Sequence, residues 1–205
     1  MTITNGYATL AQLKSADRLN ISTADTVSDT NIEAIITACS RAIDLQCGRY
    51  FYKSSTSETR YFTAIFPSSI FVGDVVSISA LATDDLAGSR SYSQSWTTTD
   101  YDLFPYEADS KSEPEPFRFI DCTPSTTLRF PPRLAKGVKV TGIFGWASVP
   151  IAISEACIIW AERVFKRSKT PLGVSGNTAI GSMTASDKPD PDVDALIYNY
   201  RVVAV

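Results

Sequence analysis

The sequence predicts an α+β fold, a helical bundle that carries an inserted antiparallel β subdomain. Three observations carry this reading. Apolar residues recur at helical spacing over about 30–47 and again from Pro150 to about Lys166. Between Arg60 and Ile143 the period changes to two, in short runs separated by turn residues. The order helices, strands, helices keeps the two classes apart, which argues α+β rather than alternating units. The predicted parts are a helical 1–57, a β-rich 58–145, and 146–205. The last holds a long helix of about 149–167, a flexible loop over 170–188, and a C-terminal helix and tail that complete the bundle. A chain of 205 residues suffices for one well-filled core with such an insertion.

Residues 7–19 predict a short first helix, with Leu10, Leu13 and Ala16 or Leu19 on one face. After the polar run NISTADTVSDT, Thr30 and Glu33 have capping-box spacing and place the next helix start there. That helix puts Ile32, Ile35, Ile36, Cys39, Ala42, Ile43 and Cys47 on one side. Glu33, Thr37, Ser40, Arg41 and Asp44 fall on the other, and Gly48 is its stop. Strands are predicted at 59–66, 75–83, 90–96, 100–104, 117–120, 127–130 and from Val138 to Ile143. Pro67 with two serines, Asp84–Asp85 with Gly88, Pro105, the PEP of 114–116 and Pro131–Pro132 mark the turns.

Pro150 sits where a helix tolerates it, in the first turn, and nothing breaks the pattern before Lys166. Ile153, Cys157, Trp160, Ala161, Val164 and Phe165 spread over a broad apolar arc that Ile151, Ile158 and Ile159 extend. A helix so apolar is covered on most sides, in a core or at a subunit interface. Periodicity is lost from Lys169 to Lys188, which reads as a functional loop or a disordered linker. Asp190 then caps a helix with Pro191 in its first turn and Val193, Leu196, Ile197 and Tyr200 on its buried face. The tail RVVAV either closes the core or docks elsewhere.

Composition excludes several functions. Hydrophobic content of 44% and charged content of 20% are globular values, and a net charge of −3 gives no support for electrostatic clamping of nucleic acid. The start MTITNGYATL lacks a basic, then apolar, leader, which predicts synthesis in the cytoplasm and makes the Asn20-Ile21-Ser22 sequon accidental. Cysteines 39, 47, 122 and 157 form no CxxC pair, and Cys39 and Cys47 lie two helical turns apart, so they read as buried small hydrophobes. The absence of histidine removes the commonest general base and any His-dependent triad or zinc site. GVSGNTAIG lacks the Lys-Ser/Thr pair of a P-loop. DPDVDA imitates a calcium loop but carries Ala195 and Arg201 where Gly and Glu are required. Asp100 and Asp102 lie on a predicted strand with nothing pointing to a cleft. No catalytic constellation, metal site or cofactor site is expected.

Charge is segregated instead. Between Asp100 and Asp121 seven acidic residues, among them Glu113 and Glu115, stand against Lys111 and Arg118. Between Arg129 and Lys169 eight basic residues, among them Arg163, Lys166 and Arg167, stand against Glu155 and Glu162. A solvated face explains either run; opposite fields on one subunit also suit a head-to-tail interface.

The strand ending GIFGWASVP, followed by an alanine-rich helix ending FKRSKTPLGVSG, resembles the head–tail connector (adaptor) proteins of tailed bacteriophages. The resemblance is closest over 137–176 and continues more loosely into DPDVDALIYNYR and the N-terminal helical pair. It rests on the combination rather than on any one element. It implies a structural virion protein of the neck, forming a ring of typically twelve subunits beneath the portal. Such a ring extends the channel through which double-stranded DNA passes without sequence-specific contact, and it offers a platform to the next neck or tail protein. Trp146, Pro150, Trp160 and Phe165 match the family pattern as structural residues, and Pro171, Leu172 and Gly173 as a candidate subunit interface. The resemblance makes Tyr198, Tyr200, Arg201, Val202 and Val203 the portal-facing candidates. The rival readings are a head-closure or tail-completion protein that does not touch the portal, and a small monomeric enzyme, which would need a deep polar pocket.

Overall fold

A computed structural model describes residues 2–85, 88–169, 174–177, 181–184 and 190–202, the two four-residue pieces as backbone strands. The chain is α+β and divides into two units, residues 1–51 with 149–205, and residues 52–148. The first unit holds α1 (Leu10–Lys14), α2 (Asp29–Cys47), α3 (Ile151–Ser168) and α4 (Pro191–Ile197), the last running into a 3-10 turn at Tyr198–Tyr200. The second holds β1 (Glu58–Phe62), β2 (Ser69–Thr83), β3 (Gln94–Trp96), β4 (Tyr101–Phe104), β5 (Phe117–Cys122) and β6 (Val138–Phe144).

The first helix is shorter than the 7–19 expected. Thr9 and Gln12 form a capping box, with the Gln12 N–H donating to Thr9 Oγ1 at 3.2 Å and the Thr9 N–H to Gln12 Oε1 at 2.7 Å. The helix then ends at Lys14, where the chain turns extended at Ser15. Lys14 is buried, and its ammonium donates to the Asp25 carbonyl at 2.5 Å and to Asp29 Oδ1 at 2.7 Å. A buried cation must be paired, and this one gathers the following loop around itself. The capping box expected at Thr30 and Glu33 does not open α2, which starts from Ser28 with both residues inside it. Gly48 stops α2 in the left-handed conformation, as expected.

Helix α3 packs against both α2 and α4. Ala156, Cys157 and Ala161 are fully buried on it, small enough for close approach, with Ile153 and Phe165 at the two ends of the contact. Pro150 is the N-cap residue, one place earlier than expected, and its carbonyl accepts from the Ser154 N–H at 3.0 Å. Asp190 caps α4 as the sequence indicates, accepting from the Asp192 N–H at 3.0 Å with Pro191 in the first turn. Leu196 is only half-buried, so Val193 and Ile197 carry the packing. The tail returns to the core at first: the Val202 N–H donates to the Cys47 carbonyl at 2.9 Å.

Within the expected loop over 170–188 lie two antiparallel strands, β7 (Val174–Asn177) and β8 (Gly181–Thr184), in register Val174 with Thr184 and Asn177 with Gly181. A two-stranded ladder closes through backbone groups alone, so a Gly-, Ser- and Thr-rich segment forms it without any apolar period.

The main sheet is antiparallel in the order β1-β6-β2-β5-β4, with β3 also on β2. β2 is longer than the 75–83 expected; β5 pairs with its first part, β3 with its last, and β6 lies on its other edge. Its register against β5 shifts between Phe71 and Val75, around Gly73 at φ 73°. The buried face carries Ile70, Val72, Val75 and Leu81 from β2 and Val138, Val140 and Phe144 from β6. Trp96 stacks on Phe130 at 4.6 Å, and its indole N–H donates to Thr83 Oγ1 at 3.1 Å.

Two expected strands fail for local reasons. Residues 127–130 do not pair, because Pro131 and Pro132 have no N–H to extend a ladder; Phe130 instead donates to the Pro67 carbonyl at 2.9 Å. The strand at 90–96 shrinks to β3, because Asp84 captures the N–H groups of Arg90 and Ser91, and Arg90 and Tyr92 sit at positive φ. Desolvation opposes the ionised form of Asp84, but those N–H groups and the Ser89 hydroxyl hold its pKa below the usual carboxylate range.

Gly142 is where β6 comes closest to β2: a Cβ there would lie 2.1 Å from the Ser77 carbonyl oxygen, on backbone that cannot step aside. Gly142→Ala should lower stability by about 1–3 kcal/mol in chemical denaturation, whereas Thr141→Ala beside it should cost less.

Candidate functional site

The portal-facing candidates divide by how the helical unit uses them. Tyr198 is 65% exposed and Val202 45% exposed, at either end of the last described turn. Between them Tyr200 meets Phe51 edge-on at 5.7 Å, and Arg201 donates to Asp194 at 2.5 Å. Tyr200 and Arg201 thus anchor the segment, and Tyr198 and Val202 are presented by it. Val203, Pro171, Leu172 and Gly173 lie outside the described residues.

The basic end of α3 presents Arg163, Lys166 and Arg167, all exposed. Arg163 pairs with Asp190 at 2.5 Å and Lys166 with Glu162 at 2.5 Å. Both carboxylates of α3 also meet Arg18, which bonds Glu155 and stands 3.8 Å from Glu162. Glu113 and Glu115 sit in the loop between β4 and β5, where Glu115 pairs with Lys111 at 3.1 Å. The basic candidates belong to the helical unit and the acidic ones to the β unit.

One polar cluster escaped the sequence reading. Tyr7 donates its hydroxyl to Asp44 Oδ1 and accepts the Phe51 N–H at 2.9 Å, while its own N–H donates to Ser40 Oγ at 3.0 Å. Arg41 Nε donates to Asp44 Oδ2 at 2.7 Å. Ser40 and Asp44, expected on the polar side of α2, are both buried. Burial raises the Asp44 pKa against the opposing pull of Tyr7 and Arg41, and it raises the Tyr7 hydroxyl as well. Beside the cluster a cavity of about 330 Å³ is lined by Arg41, Asp44, Leu45, Gly48, Arg49 and Tyr50. A raised carboxylate in a cavity can mark an active site; here the Tyr7 and Asp44 oxygens tie residue 7 and residue 51 to α2, and Arg41 adds the Asn5 carbonyl at 2.9 Å. It is a structural staple. No interval of 37 residues between Tyr7 and Asp44 carries a sequence signal.

The cysteines are free, and three of them are buried. Burial pushes the Cys39 thiol up to about 12 and the Cys47 thiol up to about 11, so neither is a thiolate at neutral pH. Among the described residues no cluster of His, Cys, Asp and Glu could hold a metal ion, and no helix is long and apolar enough to cross a membrane.

A third surface is the outer face of the sheet. Phe71, Phe119 and Phe104 lie in register across β2, β5 and β4, with Phe71 and Phe119 ring centroids 5.2 Å apart and Phe104 and Phe119 6.1 Å apart. Tyr106 continues the row, 5.3 Å from Phe104.

The fold has solved relatives. A chain in the neck of an empty gene transfer agent particle, computed with C6 symmetry, matches with a TM-score of 0.57 at 17% identity, covering 100% of this chain and 94% of that one. A chain of the virion of a native gene transfer agent particle matches at 0.54 and 17% identity over the same shares. A third, from the neck of a native particle computed with C12 symmetry, matches at 0.51 and 18% identity over 86% of this chain and 85% of that one. At these identities the likeness is one of fold. No protein-family model matches the chain, and no curated protein does.

Tyr7→Phe removes one donor to a buried carboxylate and the acceptor of the Phe51 N–H, and should cost about 1–3 kcal/mol of stability. The sign of the pH dependence follows from the raised Asp44 pKa. The folded state holds the Asp44 proton more tightly than the unfolded state does. This contribution is complete below the unfolded value of 3.8 and is lost as pH rises through the folded value. Denaturant midpoints of the native chain and of Asp44→Asn, measured from about pH 3 to about pH 7, should therefore diverge in favour of the variant as pH rises.

Proposed function

We propose that this chain is a structural protein of the neck of a phage-like particle, a head–tail connector that closes into a ring under the portal. In this reading the helical unit is the connector's bundle and residues 58–145 are its β insertion. The ring lengthens the DNA channel, joins the head to the next neck or tail component, and lets duplex DNA slide. The protein works by geometry, without a reaction or a cofactor, and resides in the virion after synthesis in the host cytoplasm.

The observation that supports this most is the fold match over 100% of this chain and 94% of its neighbour, from a structure described as a particle neck. The C6 and C12 symmetries of two such structures favour a closed ring. A net charge of −3 suits a channel wall that repels rather than grips phosphate. The C-terminal segment supplies the portal contact, through Tyr198 and Val202 in particular, since Tyr200 and Arg201 hold it in place.

Mass photometry of the chain alone and with purified portal rings tests the reading. A portal-dependent gain of about twelve subunits is expected for a connector. No gain by a folded chain moves the assignment to a head-closure or tail-completion protein. Truncating at residue 198 would remove the packing of Tyr200 on Phe51, so surface variants serve better. Tyr198→Ala with Val202→Asp should keep the circular dichroism of the native chain and weaken portal binding by about tenfold or more.

A further inference from the structure

The outer face of the sheet over β2, β5 and β4 is more than an uncovered apolar patch. Beside its aromatic row runs a second row, Ser69, Asp121 and Asp102, set by the same registers. Asp102 stands directly opposite Asp121, and like charges opposed across a ladder destabilise it. Ser69 donates to Asp121 Oδ1 at 2.5 Å and the Tyr106 hydroxyl to Asp121 Oδ2 at 3.4 Å. Neither donor carries charge, so the pair stays net negative. Phe71 is 54%, Phe104 41% and Tyr106 64% exposed. From Asp102 to Asp121 six carboxylates stand against two cations, a net −4.

Ring faces next to carboxylates are the chemistry that receives a guanidinium or an ammonium, by stacking and by charge at once. The chain itself carries the complement. From Arg163 to Lys169, at the end of α3, four cations occupy seven residues with no carboxylate among them, a net +4, and all four are exposed. Within that run Arg163 pairs with Asp190 and Lys166 with Glu162, so Arg167 and Lys169 are the cations whose charge the test exchanges.

We infer that the Phe71–Phe119–Phe104 face, with its Asp102–Asp121 pair, docks the basic C-terminal end of α3 from a second copy of this chain. Two different surfaces meet in this contact, so it is head-to-tail and propagates around a ring. The inference rests on the ring reading above and names the surfaces that close the ring.

Charge exchange between copies tests it. In Asp102→Lys the new cation faces Asp121 and the fold is spared, while the docking face turns against α3. In Arg167→Glu with Lys169→Glu the helix end turns against the face. Sedimentation velocity should show self-association of the native chain that weakens with salt, and each variant alone weakened by at least about tenfold. Mixed in equal amounts, the two variants should recover association, because alternating copies pair one exchanged contact with one native contact. A native chain that stays monomeric at its highest soluble concentration overturns the inference. So do variants that associate like the native chain, or a mixture that stays as weak as its parts. Each variant is also added to portal rings. If portal binding is intact while the exchange has no effect, the docking surfaces are wrong and the connector reading stands. If the native chain fails to bind the portal, the connector reading itself falls.

Discussion

β2 must satisfy three neighbours with one continuous backbone. Its fifteen residues give one edge to β6 and divide the other between β5 and β3. A straight, evenly pleated strand cannot turn its two ends toward different partners; extra residues at Gly73 and further register shifts toward β6 supply the bend. Everything in the β unit takes its place from that path. Ile70 and Val72 point into the core while Phe71 points out, Leu81 meets Trp96, and Gly142 is forced to be glycine where β6 closes on Ser77.

The helices were legible because their signals are local. Gly48 after an apolar-periodic run, and Asp190 before Pro191, each fix a helix end through groups within a few residues. Where the sequence misled, a distant or competing partner had won. Thr30 and Glu33 have the spacing of a cap, but α2 is capped two residues earlier, at Ser28, where Asp29 in its first turn binds Lys14. The strand expected at 90–96 lost its N–H groups to Asp84, and that expected at 127–130 met two prolines. The ladder of β7 and β8 carries no apolar alternation and offered nothing to read.

The charge runs were legible as runs, but their disposition was not. Counting showed acidic and basic stretches; only the registers of β4 and β5 show that Asp102 and Asp121 oppose each other beside a row of aromatic rings. Phe71 fell outside the strand expected at 75–83, so the row had no first member in the sequence reading. The staple of Tyr7, Asp44 and Arg41 was hidden differently. Asp44 looked like a solvated residue on the polar side of α2, and the tyrosine that buries it comes from an unpatterned segment. Phe71, an exposed aromatic between the buried Ile70 and Val72 in SIFV, is the one signal that the sequence offers for the outer face.

The ion pair of Arg163 with Asp190 joins α3 to the residue at which the chain comes back, across the twenty residues 170–189. That excursion leaves from the end of α3 and returns beside its last turns, so the packing of α3 on α4 does not depend on its length. Closing a longer loop between the same two points costs only about 0.6 kcal/mol for each doubling. Proteins of this fold could therefore exchange, extend or shorten this segment freely while the scaffold stayed fixed. The same position offers an experimenter a place to graft a tag or a foreign epitope.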